Sequence, residues 1–197
     1  MKKTAKYMAL ALCLAGRLSE AAELKPLPGG WEMIGAAKSK FEAGLDPSVT
    51  RSGKPTGHLR SKNLPLDASS RGVLAQTFRA DEYRGKRLRY AAQLKFKSVA
   101  YQVGLWMWVI GPNNNILTSD FMDDAGRLLK GDSDWRGVEI VLDVPKNAQR
   151  IVYGLRLSGP GKAWLSDTKI EPAGPDAQVT DPLAREDDLP LEPVNLF

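Results

Sequence analysis

The chain has 197 residues, with 28 Lys and Arg against 23 Asp and Glu, a formal charge of +5, one histidine and one cysteine. One cysteine excludes an intramolecular disulfide and a cysteine-based metal site, and one histidine excludes a His-rich centre. The length suits a single domain with a real core better than two domains.

Lys2, Lys3 and Lys6 precede the apolar run Tyr7 to Gly16, and Ser19-Glu20-Ala21 puts small side chains at the −3 and −1 positions of a cleavage site. That layout predicts a secretory signal peptide over residues 1–21 and a periplasmic or secreted protein. The run is about half the ~20 residues that a membrane-crossing helix needs, so no transmembrane segment is expected. Arg17 is an unusual residue between such a run and its cleavage site, and Cys13 follows Leu12 where a lipobox carries Gly or Ala, which argues against lipid attachment. The leader takes Lys2, Lys3, Lys6, Arg17 and Glu20 with it, leaving 24 basic against 22 acidic residues. Near-neutrality removes the electrostatic case for nucleic acid or an anionic membrane as partner.

Ala22 to Pro28 reads as a lead-in, and past it hydrophobicity recurs with period two rather than 3.6. In chain order, strands are predicted at Val73–Arg79, Arg87–Lys97, Gly104–Ile110, Ile116–Phe121, Val138–Val144, Ile151–Leu157 and Ala163–Ile170, with one helical turn at Ala80–Arg84. In Arg87–Lys97, Leu88, Tyr90, Ala92, Leu94 and Phe96 share one face while Arg87, Arg89, Gln93, Lys95 and Lys97 share the other. Gly104–Ile110 is apolar on both faces and reads as central. Gly111-Pro112-Asn113-Asn114-Asn115, Pro145-Lys146-Asn147 and Gly159-Pro160-Gly161 supply the fixed or positive φ that turns require. The pattern predicts an all-β, antiparallel two-sheet sandwich or jelly roll over residues 28–172. Residues 173–197 hold four prolines and six acidic residues against one arginine, which predicts an extended or disordered tail outside the core.

A resemblance rests on Pro28-Gly29-Gly30-Trp31, Phe41-Glu42-Ala43-Gly44-Leu45-Asp46, Gly53-Lys54-Pro55, Ala75-Gln76-Thr77-Phe78, Tyr83-Arg84-Gly85-Lys86-Arg87, Gly104-Leu105-Trp106-Met107, Asp134-Trp135, Val141-Leu142-Asp143-Val144-Pro145 and Ser158-Gly159-Pro160-Gly161. In order and number these blocks resemble the galactose-binding-like β-sandwich modules of bacterial envelope and secreted proteins, akin to carbohydrate-binding modules. Relatives of this kind often carry an AraC-type regulator label, yet no pair of helical periods fit for a helix-turn-helix exists here. The resemblance implies the sandwich and a ligand-binding habit. Trp108 stands where such relatives usually have a basic residue.

Catalysis has little support. His58 lies in Thr56-Gly57-His58, which reads as a surface loop, and no Gly-x-Ser-x-Gly elbow accompanies it. Asp120, Asp123, Asp124, Asp132 and Asp134 gather around one loop, as turn formers, as oxygen ligands for a structural Ca²⁺, or as the paired carboxylates of a glycoside hydrolase. Trp106 and Trp108 share a strand face and form either a stacking platform for sugar rings or core, with Trp106 the more structural of the two. In the platform reading Arg89, Gln93 and Arg156 supply the polar contacts. Trp31 and Trp135 read as edge plugs, and Arg84, Lys86, Arg87 and Arg89 as a solvated basic run or an anion contact. The favoured expectation is a non-catalytic exported module that binds carbohydrate or another envelope component. An envelope protein–protein interaction module is the alternative, and a hydrolase of unrecognised type comes third.

Overall fold

A computed structural model describes residues 23–62, 65–124 and 126–181. The predicted leader, residues 1–21, lies outside the described residues, as does the tail beyond Asp181.

Among the described residues nine strands form the body: β1 (Trp31–Ile34), β2 (Phe41–Arg51), β3 (Lys54–Ser61), β4 (Arg71–Arg79), β5 (Arg87–Ile110), β6 (Ile116–Asp120), β7 (Leu129–Asp143), β8 (Arg150–Ser158) and β9 (Lys162–Pro172). All pairings are antiparallel. The key element is β5, which joins two predicted strands into one of 24 residues. Its first half pairs β7 on one edge and β9 on the other; its second half pairs β6 and β8. The first layer therefore runs β7-β5-β9-β3-β2 and the second β6-β5-β8-β4-β1.

The corner between the layers lies near residues 98–101. There the register against β7 slips between Leu94 and Phe96, again before Val99 and again before Val103, and Ser98 takes φ +53 with its N–H held by Asp132 at 2.6 Å. Such bulges bend a strand and re-aim its side chains. The buried set accordingly changes parity, from Leu88, Tyr90, Ala92, Leu94 and Phe96 to Val99, Val103, Leu105, Met107 and Val109. Both sets enter one core with Leu59, Leu74, Ile140, Leu155 and Leu165, and Tyr90 meets Tyr153 across the layers at 4.8 Å. This is the sandwich that period-two patterning predicted, with the helical turn at Asp81–Tyr83.

Strands β1 to β3 escaped prediction. β2 carries Gly44, Asp46 and Pro47, and β3 carries Pro55 and Gly57, residues depleted from strands. Their pairing comes from neighbours rather than from local propensity: Phe41 to Asp46 faces Ser61 to Thr56 in register.

The segment after β9 also differs from expectation where it is described. Residues 173–181 form a strap along the outer edge of β7. Arg87 donates to the Pro175 and Ala177 carbonyls, both at 2.7 Å, Thr180 N–H donates to Val141 O at 2.8 Å, and Val141 N–H donates to Thr180 Oγ1 at 2.9 Å. Backbone and arginine hydrogen bonds hold the strap. Protein ending at Ala173 is expected to melt roughly 5 to 10 °C below the full chain, from several lost hydrogen bonds. An unchanged melting curve would show that the strap contributes nothing.

Candidate functional site

The platform expected from Trp106 and Trp108 lies on the outer face of the second layer. Trp106 is 2% exposed, with its Nε1 donating to Leu74 O at 3.1 Å two strands away. It stacks parallel to Phe121 at 6.4 Å and meets Trp108 edge-on at 5.2 Å. With Ala75, Ile110 and Val152 it forms a second small core on that face. Trp108 is half-buried, and its buried Nε1 has no hydrogen-bond partner among the described residues.

Arg156 belongs to the same face but is 8% exposed. Its guanidinium lies 4.7 Å over the Phe121 ring and donates to Gln102 Oε1 at 2.8 Å, while Gln102 Nε2 donates to the Phe121 and Met122 carbonyls. Burial pushes the arginine pKa down, and neighbouring Asp123 works against that shift. The pair thus braces the loop after β6 over Trp106.

Arg89 and Gln93 are not beside these residues. They point outward from the first layer, on the far side of the corner. The buried Arg89 Nε forms an ion pair with Glu139 Oε2 at 3.3 Å but, among the described residues, makes no hydrogen bond. The structure therefore splits the expected site in two, with Trp106, Trp108 and Arg156 on one face and Arg89 and Gln93 on the other.

Gln93 opens onto a groove of about 350 Å³ on that first-layer face, lined by Ala91, Gly137, Glu139, Asp167 and Lys169 among others. Register explains its shape: Ala91 faces Glu139 and Gln93 faces Gly137 across β5 and β7, so small side chains form a floor between polar walls. On β9 a bulge sets Ser166 to Lys169 against Ala91 to Gln93, and Asp167 protrudes with φ +51. Arg51, at the end of β2, donates to Asp167 at 2.7 Å and lies 5.5 Å over the half-buried Trp135 ring, which places an indole and its cation beside the groove.

Sequence reading missed Arg51, Glu139, Asp167 and Lys169 here and took Trp135 for a plug. The available signal was Ala91 and Gly137, small residues on strand faces otherwise built of long polar side chains.

His58 is not a loop residue. It lies in β3, is 2% exposed, and packs at 4.8 Å against Trp164, whose Nε1 donates to Asp46 Oδ2 at 2.8 Å. Thr56-Gly57-His58 misled because its glycine sits within a paired strand. Burial lowers the His58 pKa to about 4, with Asp46 opposing. For Asp46 burial alone raises the pKa, but hydrogen bonds from Ser48 and Trp164 leave it below normal.

A buried imidazole with a lowered pKa leaves the unfolded chain binding more protons between pH 6.5 and 4. Stability should be complete above about 6.5 and fall by up to about 3 kcal/mol towards pH 4 from this group alone, then level once both states are protonated. Denaturant titrations across that range should show the slope flattened in His58→Gln, and an equal slope in both proteins would contradict the assignment.

The loop carboxylates are used as braces. Asp120 and Asp124 share Arg127, Asp123 meets Arg156, Asp132 holds Ser98 N–H and Asp134 binds Lys95. Among the described residues no group of three or more His, Cys, Asp or Glu side chains is placed to hold a metal ion, so the alternative of a structural Ca²⁺ at this loop finds no such cluster there. Nor is any described helix long and apolar enough to cross a membrane.

No family model matches the chain. It is 36% identical over 167 residues to an uncharacterised HTH-type transcriptional regulator, YbfP, of Bacillus subtilis (strain 168). The match covers 85% of this chain and 55% of that protein, so the chain spans about half the length of the curated relative. Helices among the described residues are three single turns, Lys38–Lys40, Asp81–Tyr83 and Pro112–Asn114. In fold the chain is similar to the CBM22-1 xylan-binding domain of Paenibacillus barcinonensis Xyn10C, with a TM-score of 0.54 and 10% identity, covering 76% of this chain and 89% of that one. It is also similar to part of the enzymatically active domain of bacteriophage CBA120 tailspike protein 4, at TM-score 0.51 and 13% identity over 74% of this chain and 20% of that one. In fold the chain is an antiparallel β-sandwich, similar to that of solved carbohydrate-binding modules.

Proposed function

We propose that the chain is a non-catalytic, exported carbohydrate-binding module that holds a glycan in the first-layer groove. The observation that carries this reading is the groove's construction, a floor of Ala91 and Gly137 between polar walls with Trp135 beside it. Sugar rings present apolar C–H faces that pack on an indole, and their hydroxyls need both donors and acceptors. Gln93 offers both, Glu139 and Asp167 accept, and Lys169 and Arg51 donate. Small floor residues let a flat ring approach the sheet. The fold is one in which a similar solved domain is named for xylan binding.

Glycan arrays and affinity gels with the domain are expected to show binding that Trp135→Ala and Gln93→Ala each weaken at least tenfold without loss of fold. Unaltered binding by both folded variants would remove the groove from the account. Export is tested by intact mass: protein recovered outside the cytoplasm should begin at Ala22, and an uncleaved Met1 form confined to the cytoplasm would contradict it.

A protein-contact reading rests on a different observation, the half-buried Ile34, Val73, Trp108 and Phe121 clustered on the outer face of the second layer. A partner whose binding Trp108→Ala abolishes, together with silent glycan arrays, would favour it.

A further inference from the structure

β3 and β9 are paired only from Gly57 facing Leu165 to Arg60 facing Lys162. Before Gly57 the strands part, and the gap opens into a cavity of about 300 Å³ between the layers. Its walls are Leu27, Trp31, Leu45, Leu74 and Leu165, with Lys54, Ser166, Asp167 and Thr168 at the mouth. Leu45 and Leu165 come from the inner face of the first layer and Trp31 and Leu74 from the second, so the lining is mixed, with these apolar side chains towards the sandwich interior and polar groups at the mouth. Asp167 lines both this cavity and the groove, and its ion pair with Arg51 spans from β9 to the end of β2.

We propose that groove and cavity form one continuous site, and that its ligand is a glycan carrying a short alkyl or acyl chain, the sugar lying in the groove and the chain entering between the layers. This deepens the carbohydrate reading and rests on it. An unsubstituted neutral glycan has no group suited to the inner end of the cavity, where Leu27, Leu45, Leu74 and Leu165 lie, because burying hydroxyls there without partners is costly. A short chain gains from every methylene removed from water. The volume lies at the small end of ligand pockets, which excludes a full-length lipid tail. The mouth supplies what the junction needs: Lys54 and the Ser166 and Thr168 hydroxyls can hydrogen-bond an ester or glycosidic oxygen.

The test compares methyl and hexyl β-glycosides of xylo-, gluco- and galacto-trisaccharides, by calorimetry and tryptophan fluorescence. The hexyl form of the preferred sugar should bind at least tenfold more tightly than its methyl form and perturb Trp31 emission. Gly57→Leu, which grows from the cavity wall where a Cβ meets only ordinary contacts, should bring the ratio close to one while methyl-glycoside affinity is retained. Leu27→Ala is a second variant that widens the cavity and should shift the preference to a longer chain. Methyl-glycoside binding with no hexyl gain, or a gain that persists in folded Gly57→Leu, overturns the inference and leaves the carbohydrate reading standing. Failure of every methyl glycoside in the panel to bind overturns the carbohydrate reading, and this inference with it.

Discussion

Trp106→Ala is expected to cost about 3 to 5 kcal/mol, a large part of the stability of a domain of ordinary size. The indole is enclosed by Phe121, Trp108, Ala75 and Val152, and its N–H donates to Leu74 O across β8. Truncation removes that packing and leaves a carbonyl without its donor. Trp106→Phe should recover much of the packing but not the hydrogen bond, and should fall between the two. Equilibrium denaturation reads both, and a Trp106→Ala protein within 1 kcal/mol of wild type would mean the ring is a surface platform after all.

Gly154→Ala should also be damaging, for the opposite reason. Gly154 faces Trp106 on β5 and Ala75 on β4, so the indole must cross β8 at this position to reach Leu74 O. A Cβ there would fall well inside contact distance of the Leu74 carbonyl, a backbone group that can move only by shifting β4. Overpacking against backbone costs about 1 to 3 kcal/mol and occasionally more. The expected result is a poorly soluble protein or one with a melting temperature lower by roughly 5 °C or more. Wild-type stability in Gly154→Ala would contradict the close approach of β8 to β4.

The strand set from Val73 to Ile170 was legible because alternation of apolar and polar residues is a local signal. Arg87 to Lys97 shows this best, since Leu88, Tyr90, Leu94 and Phe96 all proved buried. What alternation does not report is which layer a face belongs to. Trp106 and Gln93 both point away from the core, yet the bulges between Leu94 and Val103 send them to opposite sides of the sandwich. The parity change from even-numbered to odd-numbered apolar positions at Val99 was the available clue to that corner. His58, Asp46 and Trp164 come from three strands, two of them without strand-like composition, so their union could not be read locally. The same holds for the groove, whose walls come from β5, β7 and β9 and whose neighbouring Arg51 comes from β2.

The central claim, that the first-layer groove is the ligand site, is tested most directly by amide and indole chemical shifts during titration with the glycan that an array selects. The account predicts that the Trp135 indole N–H, the Gln93 side-chain amide and the Gly137 amide move together and saturate with one dissociation constant, while the Trp106 and Trp108 indole signals stay in place. Shifts concentrated at Trp108 and the loop after β6, with Trp135, Gln93 and Gly137 unmoved, would contradict it.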